Sequence, residues 1–333
     1  MPRAQRVTGQ DVADRAGVSR ATVSYVLNDA AGQPISADTR ARVLAAAEEL
    51  GYTPHAAARQ LRTGVSDLIL LAHPPWPNSH ALSLCISAFT QRLGGLGYTA
   101  LVDPATQEVA RLAHTLARLQ PVALVASGDL LTEPLVARLR SAGTRAVLGF
   151  ADRPLGLVPT VVFDQRAVTR VAMAHLARRG HRSVVALMPS DPAFEWFRAG
   201  RQAGAEDAAD EHGLALTVVE SPLEHDRIGE VVAGALAGPT HPDAVLAYND
   251  DYALLALRAL VDAGVRVPDD VAVIGCDNLP VSALFTPRLT TVDVDMNALG
   301  TLIADRLHEI LCTGEGPEVI PAPSPVVVAR DSA

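Results

Sequence analysis

The sequence predicts a small all-α head followed by an α/β core of two doubly wound lobes. Three observations carry this. Residues 9–27, GQDVADRAGVSRATVSYVL, read as two short helices joined by a glycine turn. From Leu68 onward, short apolar runs alternate with helical stretches. The chain has 333 residues, 49% of them hydrophobic and 20% charged, enough apolar material for two or three domains with a substantial core.

In the head, Val12, Ala13 and Ala16 are spaced as the inner face of a first helix, which Gly17 ends. Thr8 to Asp11 has the spacing of a capping box, with Asp in place of the usual Glu or Gln. Ser19 opens a second helix, in which Ala21, Thr22, Val23, Val26 and Leu27 repeat at helical spacing. Two short helices joined through Ala16, Gly17 and Val18 have the grammar of a helix-turn-helix, whose second helix enters a DNA major groove. Ser36 precedes a third helix, with Val43, Leu44, Ala47 and Leu50 predicted to face inward and Gly51 to stop it. Thr53 and Pro54 then start a segment barely two turns long, with Leu61 its one large apolar residue. A helix that short orders only against a partner; the alternative is a linker with chance helicity. The expected boundaries are 1–53 for the head, 54–64 for a hinge helix or linker, and 65–333 for the core.

The total charge of −9 argues against nucleic acid at first sight, but the charge is unevenly placed. Residues 1–62 hold eight arginines against six carboxylates, a net of +2, and every basic side chain apart from histidine is arginine. A mildly basic head on an acidic body can hold DNA at one end while the body is repelled from it. No apolar run reaches the roughly 20 residues needed to span a bilayer, and the first ten residues lack a signal-peptide stretch, so a cytoplasmic protein is expected. Cys85, Cys276 and Cys312 lack metal spacing and read as ordinary thiols. No nucleophile elbow, phosphate-binding glycine loop or dinucleotide fingerprint occurs. The pairs Asp250–Asp251 and Asp269–Asp270 are sequence neighbours that point apart, and His175, His181 and His212 read as surface or capping groups. The chain is therefore not expected to be an enzyme, and no metal site, cofactor or catalytic residue is expected.

The core strands are LILLA (68–72), ALVAS (123–127), AVLGF (146–150), VVALM (184–188), AVLAY (244–248) and VAVIG (271–275). Helices are expected at 81–95, 165–179, 195–212 and 251–263. This alternation implies βαβ units and buried parallel sheets. About 260 residues of it suit two lobes, with a ligand crevice between the strand ends and chain crossings near 149–164, near 275–295 and in the last stretch. A small polar ligand there wants carboxylates, amides and a guanidinium at strand ends. Asn249 follows AVLAY, Asp277 follows VAVIG, and Arg201 lies early in a long helix, three residues before Gly204. Asn249 and Asp277 can equally cap the elements that follow them, and Arg201 can equally form a surface ion pair.

The segments VTGQDVADRAGVSRATVS, SADTRARVLAAAEELGYTPHAAARQLRTG, VPDDVAVIGCDN and PRLTTVDVDMNALG together resemble the LacI/GalR family of bacterial transcription regulators, from about Val7 to the end of the chain. That resemblance implies a DNA-binding head, a hinge helix, and a core like the periplasmic sugar-binding proteins, assembled as dimers on near-palindromic double-stranded operators. By position it places Arg20, Ala21 and Tyr25 at base edges, and Thr8, Ser19, Thr22, Ser24, Asn28 and Thr39 at phosphates. Packing against the third helix is the alternative for Tyr25. Leu61 matches the apolar wedge that kinks DNA from the minor groove, with His55 and Ala58 beside it. Arg201, Asn249 and Asp277 match effector contacts, with Phe163 as an apolar wall.

After the first strand, relatives often carry Asn-Pro and two aromatics; here the loop is Trp76-Pro77-Asn78-Ser79-His80-Ala81. Trp76 and His80 are the candidates to face the ligand, Trp76 either stacking on it or covering the core. The sequence thus predicts a homodimeric repressor whose operator affinity responds to a small polar effector, most simply a carbohydrate. The alternatives are a nucleoside- or purine-responsive regulator, or one with no small-molecule effector. A solute-binding module with a vestigial head is opposed by the intact recognition helix.

Overall fold

Thr8 and Asp11 start the head by capping each other. Thr8 N–H donates to Asp11 Oδ2 at 2.7 Å, and Asp11 N–H donates to Thr8 Oγ1 at 3.4 Å. The Thr8 hydroxyl, which also donates to Asp11 Oδ2 at 2.7 Å, and then the Thr8 N–H hold the Asp11 carboxyl below its ordinary pKa. Helix α1 (Gly9–Ala16) ends at Gly17, whose φ of +66° is a left-handed cap that glycine adopts without strain. Ser19 Oγ accepts from Thr22 N–H at 3.1 Å and starts α2 (Arg20–Leu27). Ser36 does the same for α3 (Ala37–Glu49) through Thr39 N–H at 3.2 Å. Val12, Ala13, Ala16, Val23, Val26, Val43, Ala46 and Ala47 form the head's core. Leu44 is a correction: it is 49% exposed. The inward face of α3 runs through 43, 46, 47 and 50, and position 44 falls off that stripe.

The structure is a computed structural model that describes residues 7–27, 35–52, 66–74, 76, 79–104, 109–239 and 241–333. Its contacts divide the chain into two compact units, Met1–Ser66 and Asp67–Ala333. The hinge expected at 54–64 lies outside the described residues, and Asn28, His55, Ala58 and Leu61 with it.

The second unit has two lobes. The first is built on β1 (Leu68–Ala72), α4 (His80–Gly95), β2 (Thr99–Asp103), α5 (Val109–Leu119), β3 (Ala123–Ser127), α6 (Glu133–Ser141), β4 (Ala146–Ala151) and β5 (Thr160–Val162). The second is built on α7 (Gln165–Arg179), β6 (Ser183–Pro189), α8 (Glu195–His212), β7 (Ala215–Ser221), α9 (His225–Leu236), β8 (Ala244–Ala247), α10 (Asp250–Asp262), β9 (Ala272–Cys276) and β10 (Thr290–Asp293). The chain then returns to the first lobe with α11 (Met296–Thr313), which packs along α4, and β11 (Val319–Pro321). It ends in the second lobe with β12 (Val326–Val328).

The sheet orders are β11-β5-β4-β3-β1-β2 and β12-β10-β9-β8-β6-β7. All pairings are parallel except β10 with β12. The chain crosses between lobes at 163–164, at 294–295 and at 322–325, within or beside the three regions expected.

Each sheet is covered on both faces, and alternate residues of a strand serve opposite faces. In β3, Ala123 and Val125 join the large core with α4 and α11, while Leu124 and Ala126 join a second cluster under α5 and α6. The expected strands and long helices are present. Four helices (α5, α6, α9, α11) and six strands (β2, β5, β7, β10, β11, β12) go beyond that reading. No helix among the described residues is long and apolar enough to cross a membrane.

Candidate functional site

In the head, α2 turns Val23 and Val26 into the core. Arg20, Ala21 and Tyr25 are exposed on the same helix, Tyr25 to 39%. Among the described residues, Arg20 has no hydrogen-bond or ion-pair partner. Thr8 and Ser19 are exposed at helix starts, where their hydroxyls accept from first-turn amides, and Thr39 lies half-buried in the first turn of α3. Such helix starts suit phosphate oxygens. Thr22 Oγ1 lies 2.9 Å from Ser19 Oγ, so it serves the cap as well.

In the core, the carboxyl ends of the strands open on a cleft of about 1020 Å³, measured out to its open mouth. Its walls include His73, Trp76, Ser127 and Phe150 from the first lobe, and Phe163, Phe197, Arg201, Tyr248, Asn249 and Asp277 from the second. Five of the six effector-facing candidates thus line one cavity. His80 does not; it is exposed. The inward stripe of α4 is Ala81, Cys85 and Phe89, spaced i, i+4, so the residue before it turns away.

Arg201 is held on every side. Its Nε donates to Gln165 Oε1 at 2.9 Å and its Nη1 to the Tyr248 carbonyl. Its Nη2 lies 3.7 Å from Asp277 Oδ1, and its Cζ is 4.4 Å from the Tyr248 ring centroid. This guanidinium is 4% exposed, so it is not a surface ion pair. Gly204, one turn on, lets α8 press against α7: a Cβ there would collide with the Arg166 carbonyl and Thr169 Oγ1. Thr169 Oγ1 in turn donates to the Arg201 carbonyl at 2.7 Å.

Asn249 does cap α10, accepting from Tyr252 N–H at 3.1 Å, and it also lines the cleft. The cap uses Oδ1. Asp277 sits in left-handed backbone at φ +101°, costly for a non-glycine residue. Its carboxylate takes a contact from Cys276 Sγ at 3.3 Å.

Asp250, fully buried, fixes the loop that carries Asp277. It accepts from Leu279 N–H at 2.8 Å, from Ser282 Oγ at 2.6 Å and from Thr291 Oγ1 at 2.5 Å. Burial pushes its pKa up to about 6 in spite of those three donors.

Sequence reasoning missed Asp250, His73 and the aromatic group on α8 and the turn before it. The last had a legible signal: Phe194, Trp196 and Phe197 fall within four residues in a chain that is only 4% aromatic. His73, a single histidine after β1, had none.

Comparison with known proteins follows this geometry closely. Residues 8–55 match the family model described as bacterial regulatory proteins, lacI family, and residues 173–333 match that of a periplasmic binding protein-like domain. The lactose operon repressor of Escherichia coli (strain K12) is 30% identical over 315 residues, covering 91% of this chain and 84% of the relative. The crystal structure of the Lac repressor dimer bound to operator and the anti-inducer ONPF superposes with a TM-score of 0.79 at 28% identity, over 98% of this chain and 99% of that one. A complex of the transcriptional regulator CelR with cellobiose gives a TM-score of 0.66 at 25% identity, over 98% and 100% of the two chains.

Proposed function

The chain belongs to the lacI family of bacterial regulatory proteins and is a DNA-binding transcriptional regulator, and on that premise we propose how its own residues do the work. It acts as a homodimeric repressor on a near-palindromic operator. Arg20, Ala21 and Tyr25 read base edges, while Thr8, Ser19, Thr22, Ser24 and Thr39 fix the register on phosphates. The observation that carries this is the exposed α2 face, on which Arg20 has no partner among the described residues while Val23 and Val26 anchor the helix. Asn28, His55, Ala58 and Leu61 join the interface on the strength of the sequence pattern alone. The domain division is 1–53, 54–64 and 65–333, the middle segment coupling head and core.

A small effector binds between Trp76, Phe163, Arg201, Asn249 and Asp277. It shifts operator affinity because it binds one lobe arrangement more tightly than the other; couplings of this kind are about 1–3 kcal/mol. The neighbour bound to cellobiose supports a carbohydrate-type effector, and the dimer on operator supports the assembly. Leu223, Val281 and Leu284, which follow strand ends of the second lobe, are 48%, 38% and 80% exposed and offer apolar surface for a second copy. The chain is a regulator rather than an enzyme, as its relatives are.

The test is selection of duplexes from a random library by the full chain. A recovered near-palindrome that Arg20→Ala no longer enriches supports the reading. Failure to enrich any sequence contradicts it.

A further inference from the structure

We propose that the cleft is built for an uncharged ligand whose buried part is a flat unsaturated ring, with an N–H or O–H donor that answers the orphaned Nε2 of His73. The proposal rests on the cleft reading above and narrows its ligand.

Aromatic residues are scarce in this chain but concentrated here. Five of its six phenylalanines line the cleft, as does Trp76, one of its two tryptophans. The other, Trp196, stacks on Trp76 with centroids 5.8 Å apart and planes 25° apart. Trp76 also stacks on His73 at 5.1 Å and 16°, and meets the edges of Phe150 at 6.0 Å and Phe197 at 5.2 Å. A sealed core would bury such rings. Trp76, Phe150, Phe194, Trp196 and Phe197 all keep part of their surface in contact with solvent. Rings assembled at an open mouth, offset and edge-on, are the surface on which another ring gains most.

The polar groups say what else the ligand carries. His73 is 4% exposed, and among the described residues its Nε2 has no hydrogen-bond partner. Its Nδ1 lies 2.5 Å from the Pro74 carbonyl, which can only accept, so Nδ1 holds the proton. Burial keeps the ring neutral, which leaves Nε2 an acceptor awaiting a donor. Among the described residues of the first lobe, the other polar side chains that line the cleft are Ser79, already capping α4, and Ser127. Hydroxyls of a free sugar turned toward the first-lobe wall would outnumber these groups, each one left unpaired lowering affinity by roughly tenfold. An anion is excluded as well. Arg201 is engaged by Gln165, Tyr248 and Asp277, so its charge is already met by the Asp277 carboxylate.

Calorimetric titration of the full chain tests this with matched probes. These are phenyl β-D-glucoside and phenyl β-D-galactoside against glucose and galactose, adenine and adenosine against ribose, and AMP and glucose 6-phosphate as anions. At least one aromatic probe should bind tenfold or more tightly than its ring-free parent, and AMP more weakly than adenosine. The glycoside and adenine arms separate a ring carried on a sugar from a heterocycle. Binding should change tryptophan emission, since Trp76 lines the cleft and Trp196 stacks on it. His73→Phe keeps the stack under Trp76 but removes the acceptor, and should weaken that probe about tenfold. A ring-free sugar that binds as tightly as its aromatic counterpart overturns the inference and leaves the effector reading intact. Binding without an emission change, or an unaffected His73→Phe, overturns it too. Silence from every probe overturns both.

Discussion

Arg201 lies face-on over Tyr248, its Cζ 4.4 Å from the ring centroid, and from there its Nη2 comes within 3.7 Å of Asp277. One buried cation thus ties α8, β8 and the loop after β9 together at the back of the cleft. Arg201→Ala leaves the Asp277 carboxylate, 8% exposed, without a cation. It should destabilise the core by about 3 kcal/mol. Arg201→Lys keeps the charge but loses the planar fork and the stack, and should fall between. Thermal unfolding of the full chain checks this; an unchanged midpoint for Arg201→Ala would show that the pair is not structural.

Asp250 gives the molecule a pH dependence of known sign. Its folded pKa, pushed to about 6, stands above the unfolded value of 3.8, so the folded state binds the proton more tightly. Its contribution is fully present below about pH 3.8 and is lost as pH rises through 6. The loss approaches about 3 kcal/mol at one pKa unit per 1.36 kcal/mol. Asp250→Asn should remove this slope, at the fixed expense of an amide N–H₂ placed among the Leu279, Ser282 and Thr291 donors. Urea midpoints of both proteins between pH 4 and 8 read the difference directly, and identical slopes would refute it.

Gly204→Ala should destabilise the second lobe by about 1–3 kcal/mol, because the added methyl meets backbone and a hydroxyl, neither of which can swing aside. Gly213→Ala, at φ +63° with open space around it, strains only the backbone and should cost about 1 kcal/mol. Equal losses would mean that α7 and α8 pack less tightly than described.

In the head, Arg20→Ala should relax discrimination at one base position of each half-site by about 1–3 kcal/mol. Thr8→Ala should instead weaken all duplexes alike, since it removes a cap worth about 1 kcal/mol and a phosphate donor without touching a base. Binding of matched and single-mismatch duplexes separates the two patterns.

The head was legible because local chemistry decides it: Thr8, Gly17, Ser19 and Ser36 mark the helix ends, and the structure uses each of them. Leu44 misled because Leu next to Val43 looks like core until the helix phase is fixed by Ala46 and Ala47. The doubly wound core was legible from its fully buried runs, such as ALVAS, in which all five residues are buried. β7 was missed because its residues are only partly buried and its pattern is weak. The second-lobe cleft residues follow strand ends, where ligands of such sheets gather, and so could be named. Asp250 acts through partners 29 or more positions away, which no local pattern displays, and His73 stands in no motif that marks its place in the cleft.

The central claim is that occupancy of the cleft changes the grip of the head on DNA. Fluorescence anisotropy of the selected operator, titrated with the full chain with and without a saturating cleft ligand, measures it most directly. The account predicts a change in operator affinity of about 5- to 150-fold, abolished in Asp277→Ala. A ligand that calorimetry shows bound, yet leaves operator affinity unchanged, would contradict it.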